Sequence, residues 1–274
     1  MALPHKRHWW LIATVLIIIA GAIAFHRVNQ SEPYISPIVA SIGNVEQPQS
    51  LRATMMPVSA ATLQVIVAAN ALPPGTSDQA ITAELYAALA YVSARTATAP
   101  TGPITVTIQA EPNCALHGAA YTSRREAQVF TCADIPAARA VNILAHEFVH
   151  QLAHDYYGDA HLQSDPILLE GWATWGAGMY WLGRSPDFHA FLGGQAPMPL
   201  VANHLGRSAA EMNTLYYQWA SFVEYLLSQY GRDAFDRLYQ SGNGVAGSAD
   251  YYGIYGVELA TLEAEWRVWL TQNR

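Results

Sequence analysis

The chain is almost without lysine. Lys6 is the sole one among 274 residues, and charged side chains of all kinds make up only 13% of the sequence, where globular chains average roughly 25%. With Lys6 and Arg7 set apart at the front, the residues after Phe25 carry 12 positive against 21 negative side chains, a formal −9. That part has no arginine cluster beyond Arg124-Arg125, so it lacks the electrostatic footprint of a nucleic-acid-binding protein. No second long hydrophobic run follows Phe25, which excludes a polytopic membrane protein. Cysteine is scarce as well. Cys114 and Cys132 are the only two, and their spacing is not C-x-x-C, which argues against a redox dithiol or a zinc-thiolate site. A content of 51% apolar residues argues against disorder.

Much of the apolar excess sits in one place. Trp9 to Phe25 (WWLIATVLIIIAGAIAF) holds no charge, and Lys6 and Arg7 precede it. Basic residues resist translocation, so the pattern predicts that this end stays in the cytoplasm while the rest crosses the membrane. Two devices fit. The length of the apolar core and the two tryptophans at its edge favour an uncleaved signal-anchor. The Ala22-Ile23-Ala24 triplet would also serve a cleavable signal peptide, giving a secreted product cut after Ala24. Either way the body of the protein is extracytoplasmic. In an oxidising compartment Cys114 and Cys132 most simply pair with each other.

The expected organisation is a signal-anchor or signal peptide at 1–25, a linker at 26–60 and one domain at 61–274. The linker holds Pro33, Pro37, Pro48 and Pro57 and shows little periodicity. In the domain, LQVIVAA and ITVTI read as strands on either side of a helix from Ser77 to about Arg95, with Ile81, Leu85, Leu89 and Val92 at helical spacing. Two shorter strands are expected near 119–122 and 128–131. Helices then dominate: 137–155, 166–182, 215–230, 232–240 and 258–270. Strands first and helices after predict an α+β fold, a small N-terminal mixed sheet followed by a mostly helical C-terminal part. The segments 171–181 and 188–205 are expected to wall a cleft.

The chemistry resides in His146-Glu147-Phe148-Val149-His150, an H-E-x-x-H motif. Positions i and i+4 share one helical face, so both imidazoles can reach one Zn²⁺ ion. Glu147, beside the first ligand, can take a proton from the attacking water. The flanking Ile143, Leu144, Ala145, Phe148, Val149 and Leu152 are apolar, as a helix buried beneath a cleft requires. A hydrolytic zinc needs three protein ligands and an open position. Three candidates exist for the third. His154 lies one turn beyond His150, but three ligands over eight residues of one helix spread about 12 Å. His161 falls in a polar loop and reads as exposed or, at most, substrate-facing. Glu170 is favoured: it follows Ile167-Leu168-Leu169 and precedes Gly171-Trp172-Ala173, where small residues allow a second helix to fold back closely across the first.

ILAHEFVHQL followed by LLEGWATW resembles the zincin metallopeptidases and, within their gluzincin branch, the peptidase MA-like domains of bacterial extracytoplasmic proteins. The resemblance spans about residues 60–272 and takes in YYQWASFVEYLLSQYG and LEAEWRVWL. It implies a zincin-like fold, metal ligands His146, His150 and Glu170, and Glu147 as catalytic base. Thermolysin-like members place an Asp four residues after the Glu ligand to orient a histidine. This chain has Thr174 there, so the orienting partner is expected from elsewhere. The resemblance also implies a Tyr or His acting on the oxyanion, for which adjacent Tyr216 and Tyr217 are both candidates. The expected function is a zinc peptidase acting on peptide or protein substrates, with one Zn²⁺ ion. A membrane-tethered, non-catalytic binding module with a retained zinc site is the alternative, and hydrolysis of a non-peptide amide would use the same chemistry.

Overall fold

The computed structural model describes residues 63–183, 186–192, 196–202 and 209–272. The expected membrane or signal segment and the linker lie outside them. No helix among the described residues is long and apolar enough to cross a membrane.

Four strands form one mixed sheet: β1 (Leu63–Val67), β2 (Ile104–Ala110), β3 (His117–Tyr121) and β4 (Glu126–Thr131). Their order is β1-β2-β4-β3. The first three in that order run parallel, with Val65 opposite Val106 and Ile108 opposite Val129. β3 is antiparallel to β4, with Gly118 opposite Val129, and forms an edge of the sheet. Parallel neighbours need a crossover, and helix α1 (Asp78–Thr96) supplies it between β1 and β2. Ser77 caps α1 by accepting from the Ala80 N–H, and Ile81, Leu85, Leu89 and Val92 are buried as their spacing predicts. β3 and β4 are joined by a 3₁₀ turn (Thr122–Arg124) that ends on Arg125 in the left-handed region, φ 53°. Cys114 and Cys132 are disulfide-bonded, Cα atoms 5.0 Å apart, and tie the chain before β3 to the end of β4.

The helical part begins with α2 (Ala137–Tyr157), which lies under the sheet and carries the H-E-x-x-H motif. A 3₁₀ segment (Gly158–Gln163) leads into α3 (Pro166–Ala177), capped by Asp165, whose side chain accepts from the Ile167 N–H at 2.9 Å. The expected single helix over 166–182 is broken at Gly178. Its φ is 45°, and a side chain there would collide with the Tyr91 hydroxyl, which instead accepts from the Met179 N–H at 3.1 Å. A short helix α4 (Met179–Leu182) restarts beyond the break, and α5 (Phe188–Leu192) follows.

α6 (Ala209–Tyr230) starts six residues earlier than its periodicity predicts. Ser208 with Glu211 three residues on is the sequence signal of a capping box that could have placed the start. α6 lies across α3 at Gly171, where an added Cβ would stand 2.7 Å from the Trp219 carbonyl oxygen. Gly176, on the same helix, lets Val149 of α2 approach equally closely. Thus α3 is wedged between α2 and α6, and small residues set both distances. α7 (Arg232–Tyr239), α8 (Tyr251–Tyr255) and α9 (Leu259–Trp269) complete the domain. Helices α5 and α8 are absent from the sequence expectation, since five residues are too few to establish a helical period.

Candidate metal centre

His146 and His150 project from successive turns of α2, and Glu170 reaches them from α3. The His146 Nε2 atom lies 3.1 Å from Glu170 Oε2 and 3.1 Å from His150 Nε2, while His150 Nε2 lies 3.7 Å from Glu170 Oε2. These three residues form a group able to hold one metal ion. The donor set itself favours a cation. Two imidazole Nε2 atoms and a carboxylate oxygen turned toward one point repel one another when all carry lone pairs. A tetrahedral zinc with bonds of about 2.05 Å has donor–donor edges of about 3.3 Å, which matches the observed separations. The third ligand expected from sequence is therefore brought to the two histidines, and His154 and His161 are not part of the group.

Beyond the three donors, His146 Nδ1 lies 3.4 Å from the Thr174 hydroxyl, which is fully buried. A proton on Nδ1 donated to that oxygen leaves the Nε2 lone pair free to face the point on which the three donors converge. The expectation that an orienting partner must come from elsewhere is corrected: Thr174, one turn after Glu170, occupies the place. Burial would raise the Glu170 carboxyl, but hydrogen bonds with both histidines hold it well below the usual carboxylate range.

Glu147 is buried beside the centre, with 7% of its surface exposed. Burial pushes its carboxyl up to about 7, Glu170 adds to the rise and His150 opposes it. A carboxyl poised there can both accept and return a proton near neutral pH.

All four residues open into a cleft of about 480 Å³. β3 forms one wall, from His117 to Ala120, with Arg139 and Ile143 of α2 below it. The opposite wall comes from Trp181 and from Met212, Asn213 and Tyr216 of α6. The break at Gly178 matters here, because α4 swings Trp181 to within 5.0 Å of the His146 ring. The Tyr216 ring also stacks on His146, centroids 5.8 Å apart, and lies 6.3 Å from Trp181. Burial raises its phenol well above the ordinary value, with Glu170 and Glu147 adding to the rise. Tyr217, the other candidate, packs instead against Phe188 and Phe191, away from the cleft.

One expectation holds only in part and another fails. His161 is not exposed: it keeps 3% of its surface, bonds the Tyr239 hydroxyl through Nδ1 at 2.9 Å and lies beside His150, but it does line the cleft. Burial pushes its imidazole down to about 3, and the neighbouring His150 and His154 add to the fall. The 3₁₀ winding of residues 158–163, invisible as a period in so short a stretch, turns it inward. The segment 188–205 does not wall the cleft among its described residues, since Phe188 and Leu192 are buried in the core. Sequence reasoning missed Gly118, Met212 and Asn213 as cleft residues. A glycine inside a strand is a signal of close approach that could have flagged the first. Compared with family models, curated proteins and solved structures, the chain matches none.

Proposed function

We propose that this protein is a zinc-dependent peptidase of zincin-like fold, its catalytic domain held outside the cytoplasm by the N-terminal segment or secreted after its removal. One observation carries the reading: His146, His150 and Glu170 converge on one point at the floor of a cleft, with the buried Glu147 carboxyl beside them. A site serving structure alone would close with a fourth protein ligand and would have no use for Glu147. The Cys114–Cys132 disulfide supports an oxidising compartment. The edge strand supports a peptide as substrate. Among the described residues β3 has a neighbour on one side only, and an extended peptide can add to such an edge through main-chain hydrogen bonds.

When bound, zinc supplies Lewis acidity, polarising a carbonyl and acidifying water. Glu147 accepts the proton of the attacking water on its carboxylate as the oxygen–carbon bond forms. It then delivers that proton to the amide nitrogen as the carbon–nitrogen bond breaks, leaving an acid and an amine. Thr174 fixes the His146 ring. Tyr216, whose phenol stays protonated at neutral pH, is placed to donate to the developing oxyanion.

Metal analysis of the purified protein, combined with digestion of a peptide library before and after chelation, tests the reading. About one zinc per chain is expected, with cleavage lost to the chelator and recovered on adding zinc back. Glu147→Gln should keep the metal and lose cleavage. Full activity in that variant, or absence of metal binding, overturns the proposal.

A further inference from the structure

Gly118 is the second residue of the five in edge strand β3, where glycine weakens pairing and packs nothing. Conformational freedom does not explain it, because its φ is outside the left-handed region and any residue could adopt its backbone. Space does. A Cβ at this position would stand 2.5 Å from Oε1 of Glu147 and 3.0 Å from its Cδ, and would also meet the Ile143 Cγ2 atom. Ile143 and Glu147 are four residues apart on α2, so they share the helical face turned toward β3. The bare Cα of Gly118 is the surface against which the carboxylate rests.

From this we infer that Gly118 is a positioning residue for Glu147: the missing side chain is the seat of the carboxylate, and it sets where the base sits relative to His146, His150 and Glu170. The inference rests on the reading of Glu147 as general base and adds a determinant of its placement that lies on the sheet. Glu147 is met at the far end of a flexible side chain, whereas Cγ2 of Ile143 sits on a β-branched carbon that is stiff in a helix. With Ile143 trimmed, the fold can accommodate alanine by moving the carboxylate, and the chemistry bears the cost. Reaction rates respond steeply to such shifts, since misplacement by about 1 Å can cost about 100-fold.

The test compares the wild type with Gly118→Ala and with Gly118→Ala/Ile143→Ala, which removes the second collision and protects the fold. Expected are full zinc loading in the double variant and a fold unchanged by circular dichroism, with a lower melting temperature from the trimmed Ile143. On a peptide substrate, kcat should fall at least about 10-fold in both variants with KM nearly unchanged. Crystal structures of wild type and double variant should show the Glu147 carboxylate displaced by about 1 Å. An unmoved carboxylate, or a kcat restored when Ile143 is trimmed, overturns the inference and leaves the peptidase reading intact. A zinc-loaded wild type that cleaves no peptide overturns the peptidase reading instead. The crystallographic displacement still decides whether Gly118 seats the carboxylate.

Discussion

The Thr174 hydroxyl lies 3.4 Å from His146 Nδ1, on the opposite side of the ring from Glu170. α3 thus addresses one imidazole twice, through the Glu170 carboxylate and, one turn later, through a neutral hydroxyl. Thr174→Val keeps the shape of the side chain and removes the oxygen. Zinc affinity, measured by competition with a chromogenic chelator, should fall about 10-fold to 100-fold, with the folded structure unchanged by circular dichroism. Equal affinity would show that packing alone orients the ring.

Arg125 clamps the far end of α2 to the sheet. Its guanidinium pairs with Asp155, bonds the Gly102 and Pro103 carbonyl oxygens at 2.9 Å each and reaches the Thr101 hydroxyl at 3.1 Å. Burial would raise the Asp155 carboxyl, but Arg125, the Thr101 N–H and the Gln151 amide together hold it below the usual range. A depressed folded-state pKa contributes stability that is present above the unfolded value of about 3.9 and lost as pH falls through the folded value. Urea unfolding of metal-free wild type and Asp155→Asn should therefore differ at pH 7, and the gap should shrink as the pH falls below about 3.9 and through the lower folded-state value. A constant gap across that range would remove the pair from the pH dependence.

Removing the Cys114–Cys132 bond should act on the cleft as well as on the fold. It closes a loop of 18 residues in sequence separation that contains the whole of β3, and chain-entropy arguments put its contribution at about 3 kcal/mol. A Cys114→Ser/Cys132→Ser variant should unfold at lower urea by that amount, and its β3 amides should exchange hydrogen faster than those of β2. Unchanged exchange in β3 would limit the bond to global stability.

Gly171 predicts a coupled loss. A Cβ there would stand 2.7 Å from the Trp219 carbonyl oxygen, so Gly171→Ala must push α6 away from α3, at a cost of about 1–3 kcal/mol. Because Glu170 is the adjacent residue, metal affinity should fall together with the melting temperature. Gly75→Ala separates the two effects. Its Cβ meets nothing, but its φ of 84° strains any side chain, so it should lower the melting temperature and leave metal affinity at the wild-type value. Equal metal loss in both variants would tie the effect to stability rather than to the placement of Glu170.

How far the sequence carried follows from which signals are local. Ile81, Leu85, Leu89 and Val92 were legible because helical periodicity is written within one turn of the next. His146 and His150 were legible for the same reason. Glu170 followed from the small residues beside it, which the close contacts at Gly171 and Gly176 explain. Three other features depend on distant chain. His161 is drawn inward by Tyr239, 78 residues on. The break at Gly178, rather than at Gly171 or Gly176, is tied to the Tyr91 hydroxyl in α1. Thr174 gained its place because the crossing of α2 and α3 sets it against Nδ1, and no spacing rule encodes that crossing.

Tyr216 and Tyr217 were equivalent in sequence, and their separation by about 100° around α6 divides them. Tyr216 faces the cleft and stacks on His146, whereas Tyr217 packs beside Phe191 with centroids 4.5 Å apart. A phenol kept protonated by burial near two carboxylates is a donor at every pH where Glu147 can work. Tyr216→Phe should therefore lower kcat about 10-fold to 100-fold with KM little changed. Since the stacking ring is retained, zinc content should stay at wild-type level. Tyr217→Phe removes a hydroxyl outside the cleft, and peptide hydrolysis should remain within about twofold of wild type. The opposite ranking of the two variants would assign oxyanion stabilisation elsewhere in the cleft, with Asn213 the next polar side chain on the same wall.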